Sequence, residues 1–310
     1  MKKHIHDTAK KLISWLMILA FWTVTPGCAQ SSGNTESKPQ IDLSSASVGY
    51  LGPEGTYTQE AVERFFGKGG AHLPYASVED AVSALSGEEC SYAVIPQENT
   101  IGGAVIDYAD TLINHREVSV EGEVVLPIDQ NLLVLPGTGL EDIKTVYSHK
   151  QGIAQGKEWL EKNLPNAVVT EVSSTAEGAK MVSEGGDKSC AAIASAACAE
   201  VYGLEVRAAA IQNNDSNKTR FYVLSLDPPN TEGTGNIAFT AGGSAEGLPK
   251  LMSDIASSGM TLVTIHDRPM KTKLGEYTYI IECSGGSFQK YEKLTKNSFE
   301  FRFLGVFDVI

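Results

Sequence analysis

At 310 residues the chain is too long for one ordinary core and long enough for two domains of about 100 to 200 residues plus a tail. Hydrophobic residues make up 42% and charged residues 20%, which excludes a largely disordered polymer. A formal charge of −13 excludes nucleic acid as a partner, since phosphate would be repelled, but it admits an anionic metabolite held by local donors.

The first segment stands apart. Lys2, Lys3, Lys10 and Lys11 precede an apolar run at residues 12–24, followed by Thr25-Pro26-Gly27-Cys28-Ala29. This is the order of an export signal over residues 1–28, and the run is short for a membrane span, which needs about 20 apolar residues. Cys28 after Gly27 suits the lipid-accepting cysteine of a bacterial lipoprotein, although Thr25 occupies a place usually held by Leu or Val. A cleaved secretory signal and an uncleaved anchor are the alternatives. Residues 29–46 read as a flexible tether. The expectation is an exported protein, membrane-anchored through this segment alone or periplasmic, and cytoplasmic if the signal is inactive.

From residue 48 onward, short apolar runs alternate with helical periodicity. Residues 48–51 read as a buried strand and 57–66 as a helix with Ala61, Val62, Phe65 and Phe66 on its inner face. A helix enters through Ser77 and runs to Leu85. Residues 92–95 form a strand that Pro96 should break, 104–113 a helix, and 118–135 two extended runs split near Pro127. Strands follow at 145–147, 168–172, 191–194 and 208–211, and helices at 151–162, 176–183 and 196–202, the last closed by Gly203. After a strand at 221–226, residues 227–235 have linker composition. The remainder reads strand 237–241, helix 248–257, strands 262–265 and 277–281, helix 288–294 and strand 301–306. That is the ferredoxin-like βαββαβ order.

Capping patterns recur at the strand-to-helix junctions. Thr56-x-x-Gln59, Ser148-x-x-Gln151 and Ser174-x-x-Glu177 each follow a predicted strand. In an open α/β sheet such junctions lie at the carboxyl ends of strands, where ligands collect, and helix N-termini offer N–H groups to carboxylates. Taken singly, each is best read as helix stabilisation of about 1 kcal/mol. Cys90, Cys190, Cys198 and Cys283 form an even set that an oxidising compartment could pair. Neither they nor the scattered His residues match a metal motif, so no metal or other cofactor is expected.

Four stretches carry a family resemblance. Gly52-Pro53-Glu54-Gly55-Thr56-Tyr57-Thr58, Ala93-Val94-Ile95-Pro96-Gln97-Glu98-Asn99-Thr100-Ile101-Gly102-Gly103, Val146-Tyr147-Ser148-His149-x-Gln151 and Asn217-x-Thr219-Arg220-Phe221 together resemble prephenate dehydratase, over residues 48–225. Residues 236–310 resemble the ACT domain that family carries. The resemblance implies a two-lobed α/β catalytic domain of periplasmic-binding-protein-like type II architecture at 47–226, its second lobe about 127–205, and a ferredoxin-like regulatory domain. It also implies decarboxylating dehydration of prephenate to phenylpyruvate in phenylalanine biosynthesis, an L-phenylalanine effector, and a homodimer or homotetramer.

The resemblance makes Thr219 the hydroxyl that donates to the leaving group, with Arg220 and Phe221 beside it. A free threonine is a very poor acid, so it can act only through a directed hydrogen bond or a relay. Arg220 suits a carboxylate through its two-pronged fork, and suits a structural ion pair equally. Asn99 and Thr100 are expected to donate to substrate oxygens. Glu98 would repel a dicarboxylate unless protonated, paired or turned away. Gly55, Thr56, Ser148, Gln151, Ser174, Thr175 and Asn217 complete the expected substrate shell.

Departures from the family pattern are also visible. Asp129 and Gln130 stand where family members often carry histidines. In the C-terminal part, Gly247-Leu248 and His266-Asp267-Arg268-Pro269 occupy the phenylalanine-sensing positions but match them incompletely, so altered phenylalanine binding is expected. Three further readings stay open: arogenate dehydratase, an exported solute-binding lipoprotein for a small dicarboxylate, and a catalytically dead regulatory protein.

Overall fold

A computed structural model describes residues 45–296 and 298–310. The export signal, Cys28 and nearly all of the tether lie outside the described residues. The first lobe runs β1 (Ser47–Leu51), α1 (Tyr57–Phe66), β2 (Ala71–Tyr75), α2 (Val78–Ser86), β3 (Tyr92–Asn99), β4 (Gly103–Ala104), α3 (Ile106–Asn114) and β5 (Ser119–Pro127). The chain then builds a second lobe from β6 (Asn131–Val134), β7 (Thr145–Ser148), α4 (Lys150–Gln155), α5 (Lys157–Asn163), β8 (Val168–Glu171), α6 (Thr175–Gly185), β9 (Cys190–Ala194), α7 (Ala196–Tyr202) and β10 (Glu205–Ala208). It returns through β11 (Lys218–Ser225), which lies antiparallel between β3 and β5. The second lobe's sheet has the order β10-β6-β9-β7-β8. Two connections, one after β5 and one before β11, therefore join the lobes and leave a crevice between them.

The C-terminal part is β12 (Gly235–Ser244), α8 (Leu248–Ser257), β13 (Thr261–Pro269), β14 (Glu276–Gly286), α9 (Phe288–Leu294) and β15 (Glu300–Val309). The βαββαβ order is as expected, with strands ordered β13-β14-β12-β15. What periodicity does not reveal is that this sheet continues into the first lobe. Asp308 and Val309 of β15 pair in parallel with Gly122 and Glu123 of β5. Ala238, Ile280, Leu304 and Phe307 share one apolar core with Tyr108, Leu112 and Tyr222 of the first lobe. The expected linker is tied down too, since the Val306 amide donates to the Asn230 carbonyl at 2.8 Å.

Three local expectations change and one strand appears where none was expected, each for an identifiable reason. The β3 strand does not stop at Pro96: Phe221 faces Pro96 and Arg220 faces Glu98, so Gln97 is the extra residue of a bulge, one of the few places a strand accepts proline. β2, with His72 and Pro74, has no strand-like alternation, but it is an edge strand and needs none. The helix expected over 151–162 is two helices broken at Gly156, where a Cβ would come within 3.1 Å of Ile193 Cδ1. The strand expected at 208–211 lies at Glu205–Ala208, also an edge; Ala210 has φ 51°, outside any strand, and Ile211 is buried in the core. Gly203 caps α7 in the left-handed region as expected, with φ 63°. Cys90, Cys190, Cys198 and Cys283 are free thiols, the first and the last two buried.

Candidate active site

The crevice between the lobes encloses a cavity of about 270 Å³. Its first-lobe wall is Thr56, Tyr57, Thr58, Pro96, Asn99, Thr219 and Phe221; the opposite wall is His149, Gln151, Gly152, Gln155, Ser173, Ser174 and Thr175, with Ile128 and Gln130 at the junction. Among the described residues, no Lys or Arg lines it. His149 apart, its side-chain donors are therefore neutral amides and hydroxyls.

Two helices point their first turns into this space. Thr56 caps α1, its hydroxyl accepting from the Gln59 amide at 3.4 Å, while Gln59 Oε1 takes the Gly55 amide at 2.7 Å. Ser174 caps α6, accepting from the Glu177 amide at 3.0 Å. Each N-terminus carries a partial positive charge, so the pair can face two carboxylates without a formal cation. Ser148 is not the cap its pattern suggests. Its side chain is fully buried and donates to the Ile193 carbonyl at 2.7 Å, and His149 caps α4 instead, accepting from the Gln151 amide.

Asn99 is the hub of the cleft. Its Nδ2 donates to Thr219 Oγ1 at 2.9 Å and to Asn217 Oδ1 at 2.8 Å; its Oδ1 accepts the amides of Ile101 and Gly102 at 3.0 and 2.8 Å, and Gln151 Nε2 at 3.0 Å. With its oxygen already accepting, the Thr219 hydroxyl keeps its own proton for another partner. A Cβ at Gly102 would sit 2.6 Å from Gln151 Nε2, so any larger residue there would displace the Gln151 amide from Asn99. Asn217 is buried behind Asn99, and Thr100 joins it by accepting the Lys218 amide at 2.9 Å; both shape the loop and do not line the cavity. Gly55 also lies off the cavity: its carbonyl accepts from Ser195 Oγ at 3.0 Å, and its φ of 82° and close approach to Cys198 admit only glycine.

Arg220 takes the other face of β11, as strand alternation requires. Its fork grips Glu123 at 2.5 and 2.8 Å, and Nη2 reaches Glu282 of β14 at 2.6 Å. Glu98 is turned to the same side, 3.6 Å from Arg220 Nη1, which removes its repulsion from the cleft. Arg220 is thus an ion-pair residue behind the site rather than a ligand within it, while Phe221 returns to the cleft wall. Burial and the neighbouring Glu282 raise the Glu123 carboxyl to about 7 despite Arg220. Between the ordinary carboxyl value of 4.5 and about 7, the folded chain then binds more protons than the unfolded one, so this group's contribution to stability is present below 4.5 and lost as pH rises through 7. The loss is on the order of 3 kcal/mol. Thermal melting should show Glu123→Gln losing less stability than the wild type between pH 5 and pH 8; equal losses would contradict this.

The positions expected to sense phenylalanine are divided. Arg268 forks onto Asp110 of α3 at 2.6 and 2.7 Å and, with Pro269, lines a second cavity of about 300 Å³ between α3 and the C-terminal sheet. His266 meets the Tyr108 hydroxyl, Asp267 is exposed, and Gly247 and Leu248 lie away from that cavity, Gly247 against Phe299. Among the cleft residues that the motifs do not single out as ligands are Gln130, His149 and Gln155. Gln155 follows Gln151 by one helical turn, which places both on one face, and Gln130 Nε2 donates to Gln155 Oε1 at 2.9 Å.

Comparison with known proteins identifies the chain's relatives. A family model described as prephenate dehydratase matches residues 48–229. A bifunctional chorismate mutase/prephenate dehydratase of Neisseria gonorrhoeae is 35% identical over 240 residues, covering 77% of this chain and 66% of the relative. The chain thus spans just under two thirds of that relative's length. A prephenate dehydratase of Lactococcus lactis is 33% identical over 246 residues, covering 77% of this chain and 87% of the relative. A crystal structure of prephenate dehydratase from Arthrobacter aurescens in complex with L-Phe superposes with a TM-score of 0.74 at 29% identity, covering 84% of this chain and 90% of that one.

Proposed function

The chain belongs to the prephenate dehydratase family, and from that premise we propose that it converts prephenate to phenylpyruvate in the interlobe cleft. The observation that carries the reading is the Asn99–Thr219 pair, whose geometry leaves a hydroxyl proton free at the floor of a cavity with neutral donors. The reaction breaks the ring C–OH bond and the bond to the ring carboxylate; the electron pair of the latter completes the aromatic ring. One proton is consumed, and water and carbon dioxide depart. The Thr219 O–H eases departure of the hydroxyl by hydrogen bonding to oxygen as negative charge builds on it.

Neutral donors also suit the carboxylate that is lost. A cation paired with it would stabilise the ground state and not the neutral carbon dioxide it becomes, so it would raise the barrier. The side-chain carboxylate, which is retained, can be held at one of the helix N-termini of α1 and α6 without that penalty. Steady-state assay of the full chain with prephenate, and in parallel with arogenate, tests the assignment. Phenylpyruvate formation from prephenate is expected; turnover of arogenate alone would move the chain to arogenate dehydratase, and saturable binding without turnover would favour a solute receptor.

The proposal extends to the ends of the chain. The C-terminal βαββαβ part is proposed to act as an ACT domain sensing L-phenylalanine, a reading supported by the L-Phe complex of the Arthrobacter relative. Because His266 and Asp267 depart from the family pattern, titration calorimetry should give weak phenylalanine binding; tight, saturable binding would refute this. A homodimer or homotetramer is proposed on the family resemblance, and a monomeric mass by light scattering would remove it. Export with lipid on Cys28 is proposed from the first 28 residues. Palmitate labelling that is lost in Cys28→Ala supports it, and labelling equal in both chains sinks it.

A further inference from the structure

Glu282 belongs to the C-terminal sheet, yet its carboxylate is spent on the catalytic lobe. It is fully buried on β14 and accepts from Arg220 Nη2 at 2.6 Å, from the Tyr222 hydroxyl at 2.8 Å and from Asn236 Nδ2 at 2.7 Å. Arg220 is flanked in sequence by Thr219 and Phe221, which face the cleft. Glu98, 3.6 Å from Arg220, is likewise the neighbour of Asn99. The two residues at the cleft floor are therefore each one peptide unit from a side chain fastened behind the sheet. Successive strand side chains leave on opposite faces, so a backbone shift that re-seats Arg220 behind must move Thr219 in front.

The ladder supports this segment unevenly, with regular pairing from Lys218 to Val223 on the β5 side and an interruption on the β3 side. The β11–β3 register shifts between Arg220 and Phe221, where Gln97 bulges, so regular strand pairing is interrupted next to Thr219. On the β3 side, where the ladder is interrupted, the Arg220 fork adds a side-chain fastening, one anchor of which, Glu123, lies in the same lobe and the other, Glu282, in the C-terminal sheet. Glu123 is as buried as Glu282, so water cannot replace either partner.

We propose that Glu282 is a positioning residue for the reaction, fixing the Thr219 hydroxyl against Asn99 by way of Arg220, so that the C-terminal sheet is a working part of the active site. The inference rests on the dehydratase reading for its kinetic readout alone. Two variants of the full chain test it. Misplacement of a reacting group by about 1 Å costs on the order of 100-fold, so Glu282→Ala should lower kcat by roughly 10- to 100-fold with KM within about threefold. Glu282→Gln keeps the shape and can still accept from Arg220, so it should recover most of that loss. A purely structural role would lower the melting temperature and leave kcat of the folded protein alone.

A second readout does not depend on activity. The backbone amide NMR signals of Asn99 and Thr219 should shift together in Glu282→Ala and return towards their wild-type positions in Glu282→Gln, while those of β8, in the far lobe, stay in place. Unchanged Asn99 and Thr219 signals, or kcat within about threefold of wild type in folded Glu282→Ala, overturns the proposal. If Glu282→Ala does not fold, Glu282→Asp, whose carboxylate is drawn back from Arg220 by one methylene, is judged by the same two readings. Absence of prephenate turnover in the wild type would count against the assigned reaction, and the NMR result would still judge the positioning role.

Discussion

Replacing Thr219 with Val should lower kcat on prephenate by about 10²- to 10⁴-fold, the range seen when a group that acts on a proton in the transition state is removed. Valine matches threonine in shape, and the site is nearly buried, so the backbone of β11 has no cause to move. Asn99 loses one of its acceptors but keeps Asn217 Oδ1 at 2.8 Å and the Lys218 carbonyl at 3.2 Å. Prephenate affinity should therefore hold, because the retained side-chain carboxylate is proposed to be met elsewhere, at the first turn of α1 or α6. Thr219→Ser, which restores the hydroxyl, should recover most of the rate. Comparing kcat with the dissociation constant for all three chains separates a lost chemical contact from a lost binding contact.

Arg220→Met should be the most destabilising single change near the site, by about 3 kcal/mol or more. Among the described residues, the guanidinium is the one Lys or Arg cation within reach of Glu98, Glu123 and Glu282, and two of those carboxylates are fully buried. Removing it leaves uncompensated charge that neither water nor a neighbour can absorb. A drop of roughly 10 °C in melting temperature at pH 8 is expected for a domain of this size. The deficit should shrink towards pH 5, because Glu123 already tends to hold a proton and can neutralise part of the cluster. A pH-independent deficit would contradict the charge account. Arg220→Lys keeps the charge but not the fork, and should fall between the two.

Much of the fold was legible in the order of residues because its elements obey local rules. Residues 57–66 carry helical periodicity between a hydroxyl cap and Gly67, and α1 occupies those residues. The βαββαβ order of the last part is likewise written in alternating runs. What local rules miss are the places where tertiary contact decides. Edge strands such as β2 and β10 are exposed and need no apolar pattern, and Pro96 is tolerated only because a bulge absorbs it. Welding of β15 to β5 depends on residues about 190 positions apart, which no window of periodicity can connect.

The site shows the same division. Thr219, Phe221, Asn99, Thr56, Gln151, Ser174 and Thr175 meet in one cleft, as the motifs imply. Arg220 and Glu98 belong to the same motifs yet face away, a consequence of strand alternation that a linear motif conceals. Ser148 fits a cap on paper but is drawn inward by the Ile193 carbonyl, leaving the cap to His149. Gln155 was within reach of helical spacing, whereas the role of Glu282 was not, since only the folded sheet brings it to Arg220.

Mixing the full-length protein in excess with prephenate, and following phenylpyruvate and carbon dioxide together, tests the assignment most directly. Complete conversion with one carbon dioxide per phenylpyruvate is expected, and Thr219→Val should bind the same prephenate while leaving it unconverted over the wild-type time course. Binding by the wild type with no product, or conversion by Thr219→Val at the wild-type rate, would contradict it.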